Sequence, residues 1–529
     1  MLNQVEHSMG VSNGPPVALN ATQKLATVLG FTGLFVLLLS ALNFSVIQSP
    51  VWLYISLGLI ATGISLFSYA AYANKSAGIK NDGVFFKSIS SRGFWAWIAT
   101  LSLTLFYIVL YFFPVYLGLR TEGTNTGLIA FFDPLSQSLS GNPASQWFVY
   151  GTLYTLAILF FGIKYLWKYR HNPYQRLRTV SVMFFQTAFA FLIPEFMARL
   201  NGEGFSLPYY DLKNIWPLNY YNFEQYRVDE FISAGDIGLA LLVFGILSIF
   251  VITPILTYKY GKRWYCSWVC GCGGLAETAG DPFRQLSDKS TFAWKVERWV
   301  IHSVVVFVVV MTTAVVASYL GYDAEKYWLT KDAFLIAVAL LLSLVYTLIF
   351  IFKRQELKKD AKAAASIYLV IVLSLIGMHF WNGNSSLFLF EAETLRSTYG
   401  FLIGSVFSGV IGTGFYPIFG SRVWCRFGCP MAAILGIQQR FFSKFRITTN
   451  GGQCISCGNC STYCEMGIDV KAYAQRGQNI VRSSCVGCGV CSAVCPRGVL
   501  KLENGEGAQA SRYAENPITL GNDGVKLNF

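Results

Sequence analysis

A chain of 529 residues that is 54% hydrophobic but only 13% charged, with a mean hydropathy of +0.46, falls well short of the charge expected of a soluble domain, which is about a quarter of its residues. With Phe (43), Tyr (29) and Trp (13) abundant, the composition is that of a polytopic membrane protein whose rings populate both interfaces. The net charge of +13 does not point to nucleic acid, because lysine and arginine sit in short loops between apolar runs and form no basic face on a soluble domain.

Residues Met1 to Gln23 are polar, and the first apolar run is too long for a signal-peptide core, so it is expected to be a retained span. Ten stretches approach the roughly 20 apolar residues that cross a bilayer: 25–47, 51–73, 94–119, 147–167, 179–197, 237–257, 299–320, 333–352, 365–382 and 400–419. Basic residues mark alternate loops: Lys75, Lys80, Lys87 and Arg92; Lys164, Lys168, Arg170, Arg176 and Arg178; Lys259, Lys262 and Arg263; Lys353, Arg354, Lys358, Lys359 and Lys362; and Arg422, Arg426, Arg440, Lys444 and Arg446. The other loops hold few. The positive-inside rule then places both termini, and every cysteine, on the cytoplasmic side of a prokaryotic inner membrane. A reducing face argues against structural disulfides. The long loop from about 198 to 235, rich in Tyr, Trp and Pro, is expected to lie against the headgroups.

The expected organisation is an N-terminal cytoplasmic segment (1–24), five spans (25–235), a second transmembrane region with two cysteine motifs (236–446), a small α+β module (447–502) and a flexible tail (503–529). The thirteen cysteines are confined to the last part of this plan. Arg263-Trp-Tyr-Cys-Ser-Trp-Val-Cys-Gly and Arg422-Val-Trp-Cys-Arg-Phe-Gly-Cys-Pro repeat each other at the ends of the sixth and tenth spans. Each runs into a short helix-like piece, and repeats in membrane proteins often flank a shared site. Cys266, Cys270, Cys425 and Cys429 are therefore candidate ligands of a metal centre, with Cys272 able to substitute. A three-residue gap would set two thiols one helical turn apart, and Arg263 and Arg422 would lower their pKa values. The bland alternative is that these cysteines only pack.

Residues 454–464 read Cys-x2-Cys-x2-Cys-x3-Cys, and 485–495 repeat that spacing before Pro496; Glu465 stands where the first run lacks the proline. In this two-cluster ferredoxin spacing the fourth cysteine of each run serves the other cluster. One [4Fe–4S] cluster would take Cys454, Cys457, Cys460 and Cys495; the second would take Cys485, Cys488, Cys491 and Cys464. Small residues (Gly458, Gly487, Gly489, Ser492) leave room for the inorganic sulfides. Zinc prefers separate cysteine pairs. The module's basic residues (Lys471, Arg476, Arg482, Arg497, Lys501) suit an anionic leaflet and could steer an acidic redox partner.

The paired Cys-x3-Cys motifs at helix ends, followed by a two-cluster ferredoxin, resemble the membrane polyferredoxin family. That family includes the NapH-type quinol dehydrogenase subunits, the NosR-type proteins and the CcoG-type proteins. The likeness covers roughly 237–502 and departs at Gly271, where the family has proline, and at the extra Cys272. It implies an oxidoreductase subunit of a respiratory complex, passing electrons between the quinone pool and an unidentified redox protein. The first five spans are not accounted for.

A quinol gives up protons with its electrons, so a carboxylate or imidazole within reach is expected; Glu195 and Gln186 in the fifth span and His302 in the seventh are the quinone-site candidates. The CcoG-type likeness offers a second function, reduction of copper during oxidase assembly, but the eight Met residues form no cluster. A third, a redox-coupled ion transporter, is disfavoured by the scarcity of ionisable groups within the spans.

Overall fold

The computed structural model describes residues 19–47, 49–74, 89–202, 206–355, 357, 359–382, 391–505, 518–521 and 524–527. Most of the N-terminal segment and of the tail, and Lys75, Lys80, Lys87 and Lys358, lie outside the described residues. Among the described residues nine helices are long and apolar enough to cross a membrane: Ala21–Ala41, Pro50–Tyr72, Phe94–Phe112, Gln146–Lys168, Pro173–Arg199, Gly235–Tyr260, Thr291–Tyr322, Lys331–Lys353 and Ala361–Trp381. The protein is a polytopic helical membrane protein. The tenth expected span, 400–419, is helical but broken: a π-helical stretch (Gly400–Ile411) is followed by a turn and the short helix Tyr416–Phe419. Glycines at 400, 404, 409, 412 and 414 explain the break, since glycine weakens a regular helix.

Local chemistry sets the helix ends. Asn20 opens the first span with a capping box shared with Gln23, and Asn172 caps the fifth, with Pro173 at the first helical position, where no N–H is needed. Ser290 caps the 32-residue seventh span. Pro194 and Pro254 lie inside the fifth and sixth spans, and each follows a π-helical turn (Ala188–Leu192 and Ser248–Ile252). The wider turn accommodates a residue that lacks an N–H and crowds the preceding carbonyl. A helix absent from the sequence reading, Gly127–Ser140, packs Leu128, Ile129, Phe131 and Phe132 into the core between the first and fifth spans.

The ferredoxin-like module is closed by strand β1 (Phe445–Thr449) pairing antiparallel with β2 (Leu500–Asn504), Phe445 opposite Asn504 and Thr449 opposite Leu500. Beyond it, β3 (Ile518–Gly521) and β4 (Gly524–Leu527) form a separate hairpin. The module is docked on the helical bundle by backbone acceptors in its second cysteine run. Tyr174 Oη donates to Gly487 O (2.9 Å), Gln175 Nε2 to Cys488 O (2.8 Å), Ser267 Oγ to Val486 O (2.9 Å) and Gln439 Nε2 to Cys485 O (2.8 Å).

The loop expected to lie against the headgroups instead enters the bundle. Leu207, Pro208, Tyr210, Ile215, Pro217, Asn219, Asn222 and Glu224 are buried. Ile215 packs in one core cluster with Tyr265, Cys266, Cys270 and Trp424. The physical reason is that the segment satisfies its polar groups inside protein: Trp216 Nε1 donates to Thr312 Oγ1 (3.1 Å) and Tyr209 Oη to Glu195 Oε1 (2.9 Å).

Candidate metal centres

The two Cys-x3-Cys motifs do not sit on continuous helical turns, contrary to the expectation from their spacing. In each, the second cysteine has extended backbone and caps a new half-helix: Cys270 precedes Gly271–Thr278, and Cys429 precedes Pro430–Phe442. The repeat is also geometric. Cys270 N donates to Tyr265 O (2.8 Å) and Cys429 N to Trp424 O (2.9 Å), the same five-residue closure in both copies.

The half-helices begin deep in the bundle. A Cβ added to Gly271 would collide with Gln186 Oε1, and Gln186 lies 13 residues along the fifth span from Pro173, about 20 Å from the face that carries the ferredoxin module. Gly271–Thr278 then returns toward that face over about 12 Å. Both half-helices thus direct their N-terminal, electropositive ends at one buried point, as the half-helices of transporters do at their binding sites.

Around that point lie Cys266, Cys270, Cys425 and Cys429, all buried in one core, with Cys272 packed against them. Cys270 and Cys272 flank Gly271 at the start of the first half-helix. Arg422 Nη1 stands 3.5 Å from Cys425 Sγ and donates to Cys266 O at 3.2 Å, and Ala432 N donates to Cys429 Sγ at 3.4 Å. Arg263, expected beside the thiols, lies instead over the Phe445 ring (4.6 Å); the buried Lys262 and Arg422 are the cations that act on Cys266. Five soft donors under positive charge suit an anionic metal–thiolate group.

Gly271, Gly273 and Gly274 give the chain the close approach it needs there. A Cβ at Gly273 would overlap the Cys266 carbonyl oxygen, a backbone atom, whereas one at Gly271 meets the movable end of Gln186. Gly273→Ala is therefore expected to destabilise the fold by about 1–3 kcal/mol through overpacking, and to cost this centre its metal, with Gly271→Ala clearly milder. Thermal melts and iron content of the two variants check the order.

In the module, Cys454, Cys457, Cys460 and Cys495 line one small pocket, partly open to solvent, together with Gly458, Lys471, Pro496 and Arg497. Burial pushes the Cys491 thiol up, and Cys488, Cys485 and Cys464 push it further in the same direction. The first set is the outward one, since Ile455, Ser456 and Arg497 beside it are exposed. The second belongs to the docked face. Burial pushes Cys460 up to about 12 and Cys485 up to about 11, so bare thiols there hold protons that a bound metal must displace. The donor sets fit [4Fe–4S] clusters.

Between the embedded cysteines and the docked set runs a buried ionic chain that motif spacing did not reveal. Lys168 Nζ meets Asp281 Oδ2 at 2.6 Å, with Lys164 at 3.5 Å; Arg284 pairs with Asp281 (3.0 Å) and with Glu465 (2.8 Å). Arg422 pairs with Glu465 (3.0 Å) and with Glu277, which also meets Arg178. Burial alone would raise the Asp281 carboxyl, but Lys168, Lys164 and Arg284 hold it well below the carboxylate range. The same contest at Glu465 is won by Arg284, Arg422 and Arg178. Five cations thus face three carboxylates; Arg422 touches Cys425, while the Glu277 and Glu465 carboxylates lie within 4.8 Å of Cys488 Sγ.

The three quinone-site candidates are not brought together. Gln186 is at the embedded cysteines, its Nε2 donating to Thr155 Oγ1 (3.1 Å) and its Oε1 buried without a hydrogen-bond partner. Glu195 accepts from Tyr209 among the opposite-face elements, and His302 is exposed, with Nδ1 2.5 Å from Arg298 O.

Comparison with known proteins agrees with the donor sets. A family model described as 4Fe-4S dicluster domain matches residues 446–496, and one described as 4Fe-4S binding domain matches 242–290 and 401–448, which are the two Cys-x3-Cys repeats. The chain therefore carries iron–sulfur domains on and beside its membrane-spanning helices. It is 36% identical over 58 residues to YccM of Escherichia coli (strain K12), whose name gives it a provisional role in electron transport. That match spans 11% of this chain and 16% of that protein. No solved structure matches.

Proposed function

We propose that the chain passes electrons between the membrane quinone pool and a redox protein that docks at the exposed cysteine set of the module. The observation that carries this reading is the placement of three cysteine sets in series: one outward in the module, one at the docked face, and one deep among the spans. Bound at these sets, [4Fe–4S] clusters would supply one-electron carriage. The ligands would be Cys454, Cys457, Cys460 and Cys495 for the outward cluster, and Cys464, Cys485, Cys488 and Cys491 for the docked one. Four of Cys266, Cys270, Cys272, Cys425 and Cys429 would hold the third.

The residues around the sets do the rest. The buried ionic chain fixes the module against the bundle, and its Arg422 brings positive charge to the embedded set, where a reduced, more negative centre needs it. Gln186 Oε1, buried and without a partner, offers an acceptor to a quinol hydroxyl near the embedded set. Full-length protein in liposomes should show the module's clusters exchanging electrons with added quinol or quinone, followed spectroscopically. Failure to exchange in either direction, with intact clusters, would overturn the quinone assignment.

The reading also places the module on the cytoplasmic side of a prokaryotic inner membrane. Reporters inserted at the exposed His171 and Glu325 should report cytoplasm and the opposite side, respectively. The reverse result would remove the reducing-compartment argument.

A further inference from the structure

We infer that Lys213, carried into the bundle from the face opposite the ferredoxin module, is the residue that sets the reduction potential of the embedded centre; this rests on the third centre proposed above.

The fifth span ends at Arg199 on that opposite face, and the next helix, Gln225–Ser233, begins there. The segment between them descends into the bundle and turns at 211–215, where Lys213 N and Asn214 N are tied back to Asp211 (3.1 and 2.9 Å). The turn reaches the cysteine motif itself: Tyr265 Oη donates to Lys213 O at 2.8 Å. A Cβ on Gly271, between Cys270 and Cys272, would lie 3.4 Å from Lys213 Nζ. The Lys213 side chain is only 10% exposed, and its ion-pair partner is Asp211 at 3.5 Å.

An ammonium group held at this depth needs a reason, because ionisable groups within a membrane protein are expensive and usually functional. Asp211 alone does not supply one, since that carboxylate is further away than in a close pair and more exposed than the lysine. Beside its Nζ lie the Gly271 turn between Cys270 and Cys272 and the Gln186 amide. A metal–thiolate centre grows more negative when reduced, so a fixed cation beside it favours the reduced form. Arg422 acts on the same centre from the module's side, next to Cys425. The embedded cysteines are therefore faced by cations from both sides of the membrane, Lys213 from one and Arg422 with Lys262 from the other. Glycine at 271, where the second motif has Pro430, is what leaves room for the Gln186 amide beside Lys213.

The test is an electron paramagnetic resonance redox titration of full-length protein, with iron counted in every sample. Lys213→Met should lower the reduced-to-oxidised ratio of the embedded centre about tenfold at a given ambient potential, a negative shift of about 59 mV for one electron. The two module clusters should not move, and Lys213→Arg should restore the wild-type value. Should methionine at 213 cost the centre its iron, Lys213→Gln carries the same prediction. An unshifted embedded centre, or equal shifts in all three, overturns the role of Lys213. A wild-type protein with iron for two clusters only overturns the third centre and this inference together.

Discussion

Replacing Cys425 by serine is expected to abolish electron exchange between quinone and the ferredoxin module while leaving both module clusters in place. Cys425 is buried at the meeting point of the two half-motifs and is the thiol that Arg422 touches. A serine oxygen is a hard, poor substitute for a thiolate at an iron–sulfur site. Iron should fall from about twelve to about eight atoms per chain, the content of the module alone. The module's clusters should remain reducible by a soluble strong reductant, because none of their cysteines is altered. Quinol-driven reduction of those clusters should drop to background. A variant that keeps normal rates would place the electron path elsewhere.

Replacing Glu465 by alanine is expected to have the largest effect on stability. Glu465 is the module's own anchor in the ionic chain: its carboxylate meets Arg284 and Arg422, both fully buried, and its carbonyl accepts from Ser287 Oγ at 2.6 Å. Removing the carboxylate strands two guanidinium groups away from water, which typically costs about 3–5 kcal/mol. Arg284 keeps Asp281 and Arg422 keeps Glu277, so the loss should lie toward the lower end of that range. The module should detach before the bundle melts, and proteolysis near residue 444 should report it. Glu465→Gln keeps the shape and loses the charge, so it should be intermediate. An alanine variant that melts like wild type would show that backbone contacts alone hold the module.

These two residues also show what could be read from the chain. Cysteine spacing at 454–495 and the apolar runs are local patterns, and both are visible as soon as gaps and window lengths are compared. Glu465 was visible only as a departure, standing where the second run has Pro496. Its meaning depends on Arg284 and Arg422, which are 181 and 43 positions away, and no local period links them. The same holds for Lys213. It sits in a loop whose Tyr, Trp and Pro content matches an interfacial belt, and what carries it inward is a set of distant partners, Thr312 and Tyr265 among them. The Cys-x3-Cys motifs were found by their repetition, but their geometry was misjudged, because a cysteine capping a half-helix and one on a helical turn share the same spacing. Ionisable groups looked scarce within the spans for a related reason. Of those that matter, Asp211, Lys213 and Arg422 enter from loops, while Lys164, Lys168 and Arg178 lie at span ends on the module's side. The cysteines of the embedded centre were legible from that repetition; the signal for its depth and for the inward loop is the pairing of a broken glycine-rich span with a long aromatic loop on its far side.

The most direct test of a membrane protein with three cysteine sets in series is the iron and acid-labile sulfide content of the intact, full-length protein, purified without exposure to air. Three [4Fe–4S] clusters predict about twelve iron and twelve sulfide per chain. About eight of each would contradict the embedded centre and leave a two-cluster carrier. Stoichiometric zinc with no iron would contradict the account altogether.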